Sequence, residues 1–325
     1  GREGEEETAH ESPSGAGGGG GDVHRFSAVR PPRSIPRRSA HARECGFVLA
    51  GVPYRMPVEH RSGYHYRWSP LAYPVEFPAE VRATHDPAHL PTLDLVIVAT
   101  KATDVEDAAR RLEGHADGAT VMTIQNGLGA EEVVARHGRW PLVSAVTFMS
   151  GVRHSDTHVE YELDTETWLG PYAGTGTPYA AVEEIARLLV DSGLKAQPFP
   201  DLRPAQWSKL IFNAAVNGAA ALTELPHVAL FAKRETPADL GHLVYDLIAE
   251  GKAVAAAAGV ELHDDPWEMN QRAVTRGESD EGDYAHPPSM LEDVLAHRAT
   301  EVDAITGALV REAERVGVEV PLNTA

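Results

Sequence analysis

Leu95-Val96-Ile97-Val98-Ala99 is an unbroken apolar run behind Asp94. A run without alternation suits a parallel strand covered on both faces, so residues 95–99 are expected as a buried strand. Thr100-Lys101 ends it, and apolar positions at helical spacing predict a helix over 105–112, with Thr103 or Asp104 as its cap. The order then repeats, with a strand over 120–124, the loop Gln125-Asn126-Gly127-Leu128-Gly129 and a helix over 130–136. Further strands are expected at 142–149, 158–163 and 167–169, then a helix over 178–192 between Pro178 and Gly193, and a short strand at 195–199. From Pro204 onward only helical periodicity remains, over 204–225, 239–258, 266–276, 289–297 and 300–316. The pattern predicts an α/β domain on a parallel sheet over 41–199 and an all-helical domain over 200–325, with a cleft between them.

Residues 1–45 break this pattern. Their Leu, Ile, Val and Phe amount to Val23, Phe26, Val29 and Ile35, too few to bury an element, so 1–40 is expected to be disordered or non-native. Gly15-Ala16-Gly17-Gly18-Gly19-Gly20 has the spacing G-x-G-x-x-G, which cradles a pyrophosphate only between a buried strand and a helix start. Neither flank, Glu11-Ser12-Pro13-Ser14 or Asp22-Val23-His24-Arg25, has that periodicity, so the run reads as low-complexity sequence. A reading-frame change upstream of about Ala40 would account for the Arg, Gly, Pro, Ser and His bias of this stretch.

The 325 residues carry 29 Lys and Arg against 48 Asp and Glu, a formal charge of −19. So acidic a surface repels phosphate backbones and argues against a nucleic-acid partner. No apolar run reaches the ~18 residues of a membrane span. The single Cys45 leaves no intrachain disulfide and fits a reducing, cytoplasmic setting. There is no H-E-x-x-H, C-x-x-C or G-x-S-x-G, and His154 and His158 lack a third ligand, so no metal site is expected.

The chemistry concentrates in three places. Lys209, Asn213 and Asn217 are spaced by four and share one face of the 204–225 helix, among Leu210, Ile211, Phe212, Ala214, Ala215 and Val216. A buried Lys with two amides needs partners. They are either a structural network between helices or a site where the ammonium meets charge developing on a carbonyl oxygen. In the second case Lys209 is a general acid, and Asn213 and Asn217 hold substrate. Ser289/Glu292 and Thr300/Asp303 both have capping-box spacing, and Glu301 also suits the first turn of a helix, so Ser289 and Glu301 stay open between structural and site roles. Lys101 and Asn126 fall at carboxyl ends of predicted strands, where ligands of α/β sheets bind.

These blocks, in this order, resemble the ketopantoate reductase family, the 2-dehydropantoate 2-reductases. The likeness runs from about Phe77 to the C-terminus and rests on segments 94–101, 125–129 and 207–217, and on Ser289-Met290-Leu291 through Thr300-Glu301-Val302-Asp303. The resemblance implies a Rossmann-like parallel sheet, with its first βαβ unit missing or altered here, then a helical domain. It implies NADPH-dependent reduction of 2-dehydropantoate to pantoate, a step toward pantothenate and coenzyme A. By it, Lys209 is the general acid, with Glu301 near the reacting centre. Asn213, Asn217 and Ser289 bind the 2-oxo acid, and Lys101, Asn126 and Glu301 lie against the nicotinamide end of NADPH. Three departures stand out: the flanks of the glycine run, His227 and His286 where the family usually has Asn, and an end at Ala325 before the family's final helix is finished. They leave open a related 2-oxo acid or ketone reductase of the same fold, or a cofactor-free binding or regulatory relic. A homodimer stays open as the assembly.

Overall fold

In a computed structural model, residues 84, 86–155, 158–163, 165–276 and 287–325 are described, together with short strands at 23–24, 65–68, 75–77 and 81–82. The glycine run, Cys45 and His286 lie outside the described residues. β1 (Val23–His24) pairs antiparallel with β4 (Val81–Arg82), while β2 (His65–Trp68) and β3 (Val75–Phe77) join a second small sheet.

The apolar runs build the main five-stranded sheet. Its strands are β5 (Leu95–Val98), β6 (Thr120–Thr123), β7 (Leu142–Thr147), β10 (Thr167–Pro171) and β11 (Ala196–Pro198), in the order β11-β10-β7-β6-β5. Between β7 and β10 the chain makes the antiparallel pair β8 (Ser150–Ser155) and β9 (His158–Leu163), with β9 also parallel to β2. β5, β6 and β7 are parallel, with Leu95 opposite Thr120 and Val121 opposite Leu142. β10 runs antiparallel to β7, so the sheet is mixed and mostly parallel. The reason is local. After the β8–β9 excursion the chain returns beside β7 without a crossover helix, and a direct return has to run the other way.

Successive side chains of these strands alternate between two covers. Val96, Val98, Val121 and Leu142 pack under α1 (Val105–Leu112) and α2 (Ala130–Ala135). Leu95, Met122, Val143 and Ala145 pack under Val182, Ile185 and Leu189 of α3 (Tyr179–Asp191). Burial on both faces is what the unbroken apolar run at 95–98 requires. The expected cap of α1 does not form. Asp104 occupies the capping position without a side-chain bond, and a turn of 3-10 helix, Ala102–Asp104, precedes it.

The helical domain is wrapped around α4 (Arg203–Thr223), which packs against α5 (Leu240–Ala257), α6 (Pro266–Arg276), α7 (Ser289–Leu295) and α8 (Thr306–Val316). At the α4–α5 crossing, a Cβ on Gly251 would lie 2.7 Å from Ile211, so the glycine sets how closely the two helices approach. A four-residue helix α9 (Pro321–Thr324) follows, with Glu250 of α5 accepting from the Leu322 and Asn323 N–H groups. Neither capping box left open by the spacing forms. Ser289 is the first residue of α7, behind Pro288, and makes no cap bond. The helix expected from residue 300 begins only at Thr306, and Thr300 instead accepts from the Val302 N–H, so 301–305 is a tight turn. Among the described residues, no helix is long and apolar enough to cross a membrane.

Candidate active site

The start of the polar stripe of α4 meets the carboxyl end of β7. Leu210, Ile211, Ala214, Ala215 and Val216 are buried in the helical core. Lys209 leaves that core, and its Nζ donates to the carbonyl oxygen of Thr147 at the end of β7. The Nζ also lies over the Phe148 ring, 5.1 Å from its centre. Burial lowers the Lys209 pKa to about 8, with the Glu301 charge opposing the fall. One and two turns further along α4, Asn213 and Asn217 are buried, and neither amide is hydrogen-bonded among the described residues. Neither amide is among the fully buried polar atoms left without a partner, so each keeps some access to solvent. Two accessible, unbonded amides in line with a desolvated ammonium can take a polar ligand.

A second cluster joins the two domains. Lys101, at the end of β5, donates to Asp293 Oδ2 of α7 at 2.8 Å and to Glu301 Oε2 at 3.4 Å. Glu301 is 6% exposed, and its Oε1 accepts from the Ala102 N–H at 2.8 Å. Glu301 thus supplies the cap missing from the helical start at 102, and does so from the other domain. Asp293 is 1% exposed and spends its second oxygen on Arg298, at 2.9 and 3.0 Å. Burial by itself would lower the Lys101 pKa, but the hydrogen bond to Asp293 and the charges of Glu301 and Asp293 outweigh it, and the pKa is raised.

The loop after β6 closes the space between the clusters. Gln125 Nε2 donates to the carbonyls of Val98 and Thr100 at 2.8 and 3.0 Å, tying β6 to the end of β5. Gly127 sits at φ +91°, and a Cβ there would lie 1.9 Å from the Ala304 carbonyl oxygen. That carbonyl accepts from the Leu128 N–H at 3.0 Å, so loop and turn meet backbone to backbone. Glu131 of α2, itself buried, accepts from Thr123 and from Gln206 of α4, adding a link between the domains. A narrow crevice remains there, lined by Gln125, Gly127, Gln206 and Lys209.

Of the residues singled out in the sequence, Lys101 and Glu301 are in direct contact, and Lys209 is within electrostatic reach of Glu301. Asn126 stands between two residues that line the cleft. Asn126, Asn213, Asn217 and Ser289 are not bonded to one another. Ser289 has no cap to make, which leaves its hydroxyl for other work. His227 is spent on structure. Its Nε2 is 2.8 Å from Asn270 Oδ1, its ring packs edge-on to Phe212 and Phe231, and burial lowers its pKa. Sequence reasoning missed Asp293, although it stands four residues after Ser289, the same spacing that marked Asn213 and Asn217. It also missed Phe148, which carries no polar signal.

At the carboxyl ends of β5 and β6, Thr100 Oγ1 is buried without a partner and Gly127 adds no side chain, features compatible with a bound dinucleotide. Among the described residues no cluster of His, Cys, Asp and Glu suits a metal ion.

The description "Ketopantoate reductase PanE/ApbA" fits residues 66–174, and its C-terminal counterpart fits residues 201–325. The 2-dehydropantoate 2-reductase of Halobacterium salinarum is 31% identical over 239 residues, covering 73% of this chain and 75% of that protein. That of Vibrio cholerae is 28% identical over 280 residues, covering 82% and 88%. Among solved structures, the 2-dehydropantoate 2-reductase of Geobacter metallireducens has a TM-score of 0.72 at 24% identity, over 86% of this chain and 88% of that one. D-mandelate dehydrogenase bound to NADH and anilino(oxo)acetate has a TM-score of 0.63 at 24% identity, over 75% and 79%. The two structures establish likeness of fold.

Proposed function

The chain belongs to the ketopantoate reductase PanE/ApbA family of NAD(P)-dependent 2-oxo acid reductases, and from that premise we propose that it reduces 2-dehydropantoate to pantoate with NADPH, Lys209 serving as general acid. The observation that carries this reading is the Lys209 ammonium, desolvated, seated on the Thr147 carbonyl and in the field of Glu301 beside the cleft. When bound, the dinucleotide supplies hydride, and Lys101, Asn126 and Glu301 are the residues that would hold its nicotinamide end. The chain's own work is electrostatic and geometric. As the keto carbon is reduced, negative charge grows on its oxygen, and Lys209 donates first a hydrogen bond and then its proton to that oxygen. Asn213, Asn217 and Ser289 hold the carboxylate and hydroxyl of the oxo acid. Their unpaired amides and hydroxyl offer donors and acceptors of the right kind. Lys101 and Arg298 are spent on Asp293 and Glu301, which leaves the Lys209 ammonium as the cation beside the cleft for an anionic substrate to meet.

The test is steady-state reduction of 2-dehydropantoate with NADPH beside a panel of other 2-oxo acids. The reading expects 2-dehydropantoate to have the highest kcat/KM. A higher value for another 2-oxo acid would move the assignment to that substrate, and no NADPH binding by calorimetry would make the chain a relic. The pH profile adds a signature. An acid whose pKa lies near 8 is protonated below that value and loses its proton above it, so kcat for reduction falls as pH rises through about 8. A rate that stays level to about pH 10, near the ordinary lysine range, would remove Lys209 from the proton transfer. Asn217→Ala is expected to raise KM for the oxo acid about tenfold or more while leaving KM for NADPH within twofold, as loss of a buried hydrogen bond to a charged group predicts. Equal effects on both ligands would mark the amide as structural.

A further inference from the structure

Thr147 and Phe148 leave β7 side by side, and both are held from β10. Thr147 pairs with Thr167 across the antiparallel register, and its hydroxyl accepts from Thr167 Oγ1 at 3.2 Å and from the Met149 N–H at 3.1 Å. These bonds fix the backbone whose carbonyl receives the Lys209 ammonium. Phe148 is fixed by rings. Its centroid lies 5.8 Å from that of Trp168 at an interplanar angle of 76°, and Trp168 packs edge-on against Phe199 and His263 at 6.0 and 4.8 Å. The Trp168 indole N–H is itself tied to Glu166 at 3.0 Å. The stack leaves the face of Phe148 toward Lys209 Nζ, 5.1 Å from the ring centre.

An aromatic face carries negative quadrupolar charge and attracts a cation, the more so when the cation has lost its water. We propose that Phe148 is a positioning residue for Lys209, its ring face and the Thr147 carbonyl together replacing the hydration of the ammonium and keeping it charged beside the cleft. The proposal rests on Lys209 as the proton donor. It answers a difficulty in that role, since a lysine desolvated enough to release its proton readily must still hold it at neutral pH. Glu301 is the carboxylate that acts on Lys209 directly. His263 stands behind Trp168, Asp264 donates its N–H to Ser208 on the same helix, and Glu131 reaches that helix through Gln206. None of these three supplies the contact that Phe148 makes.

The experiment replaces Phe148 by phenylalanines of increasing ring fluorination, which weaken the quadrupole at nearly constant shape, and separately by Leu and by Tyr. The titration of Lys209 is read from its side-chain carbon resonance in the ligand-free protein. Only five lysines are present, and Lys209→Arg identifies the signal. The expected result is a pKa that falls stepwise with fluorination, by about half a pH unit to one unit in Phe148→Leu, and is restored in Phe148→Tyr. The upper limb of the kcat profile should move with it. An unchanged Lys209 titration across the fluorinated series would overturn the proposal. Because the titration needs neither substrate nor NADPH, it is read whether or not the reductase assignment stands.

Discussion

Lys209→Ala lowers kcat for reduction of 2-dehydropantoate by about 10²–10³-fold, the usual loss when one donor to a developing oxyanion is removed. The residue sits where that loss follows from geometry. Its Nζ reaches out of the helical core to the Thr147 carbonyl, its charge faces Glu301, and Gln125 and Gly127 line the same cleft. The variant should remain folded, because the apolar contacts of α4 are made by Leu210, Ile211 and their neighbours. It should also lose the decline of kcat above pH 8, since the group responsible is gone. A fall of less than tenfold, with the pH dependence intact, would assign the proton to another donor.

Gly127→Ala is expected to be the most damaging change to the framework of the site. The position lies at φ +91°, where a non-glycine residue costs about 1–3 kcal/mol in backbone strain. The new Cβ would also stand 1.9 Å from the Ala304 carbonyl oxygen and 2.6 Å from its carbon, backbone atoms that cannot swing aside. Relief requires the 301–305 turn to retreat, and with it Glu301, whose bonds to Lys101 and Ala102 hold the two domains together. Gly129→Ala is the control, since Gly129 has φ +103° but open space around its Cβ. Thermal unfolding should show the larger loss of stability at Gly127. Displacing Glu301 by about an ångström should cost on the order of 10²-fold in kcat. Equal losses in the two variants would show that the contact between loop and turn does not matter.

Some of this was legible in the chain because local chemistry decides it. Residues 95–98 are apolar without a break, and 120–123 and 142–147 are apolar apart from Thr120, Thr123, Ser144 and Thr147, a pattern suited to strands covered on both faces, while the period of four in Lys209, Asn213 and Asn217 admits one helix face. The segments that resemble the ketopantoate reductases carried the family, and the structure brings two of their residues, Lys101 and Glu301, into contact.

Other features depend on contacts between residues far apart in the chain, which no local period encodes. The direction of β10 follows from how the chain returns after β9 and not from its own residues. Capping-box spacing at 289 and 300 matched a local rule, yet Pro288 precedes the first helix and a turn replaces the start of the second. The turn survives because Glu301 is bound to Lys101 and Ala102, some two hundred positions earlier. Asp293 reads as an ordinary helical carboxylate until Lys101 and Arg298 arrive on either side of it. Phe148 reads as an apolar residue after a strand until Lys209 is laid over its ring. The sequence by itself determined which side chains could be buried and which groups could do chemistry, because hydrophobicity and acidity belong to the residue. Tertiary structure alone decided which of those groups meet, because the pKa of Lys209, the cap at Ala102 and the fit of Gly127 belong to pairs of atoms that only folding brings within a few ångströms.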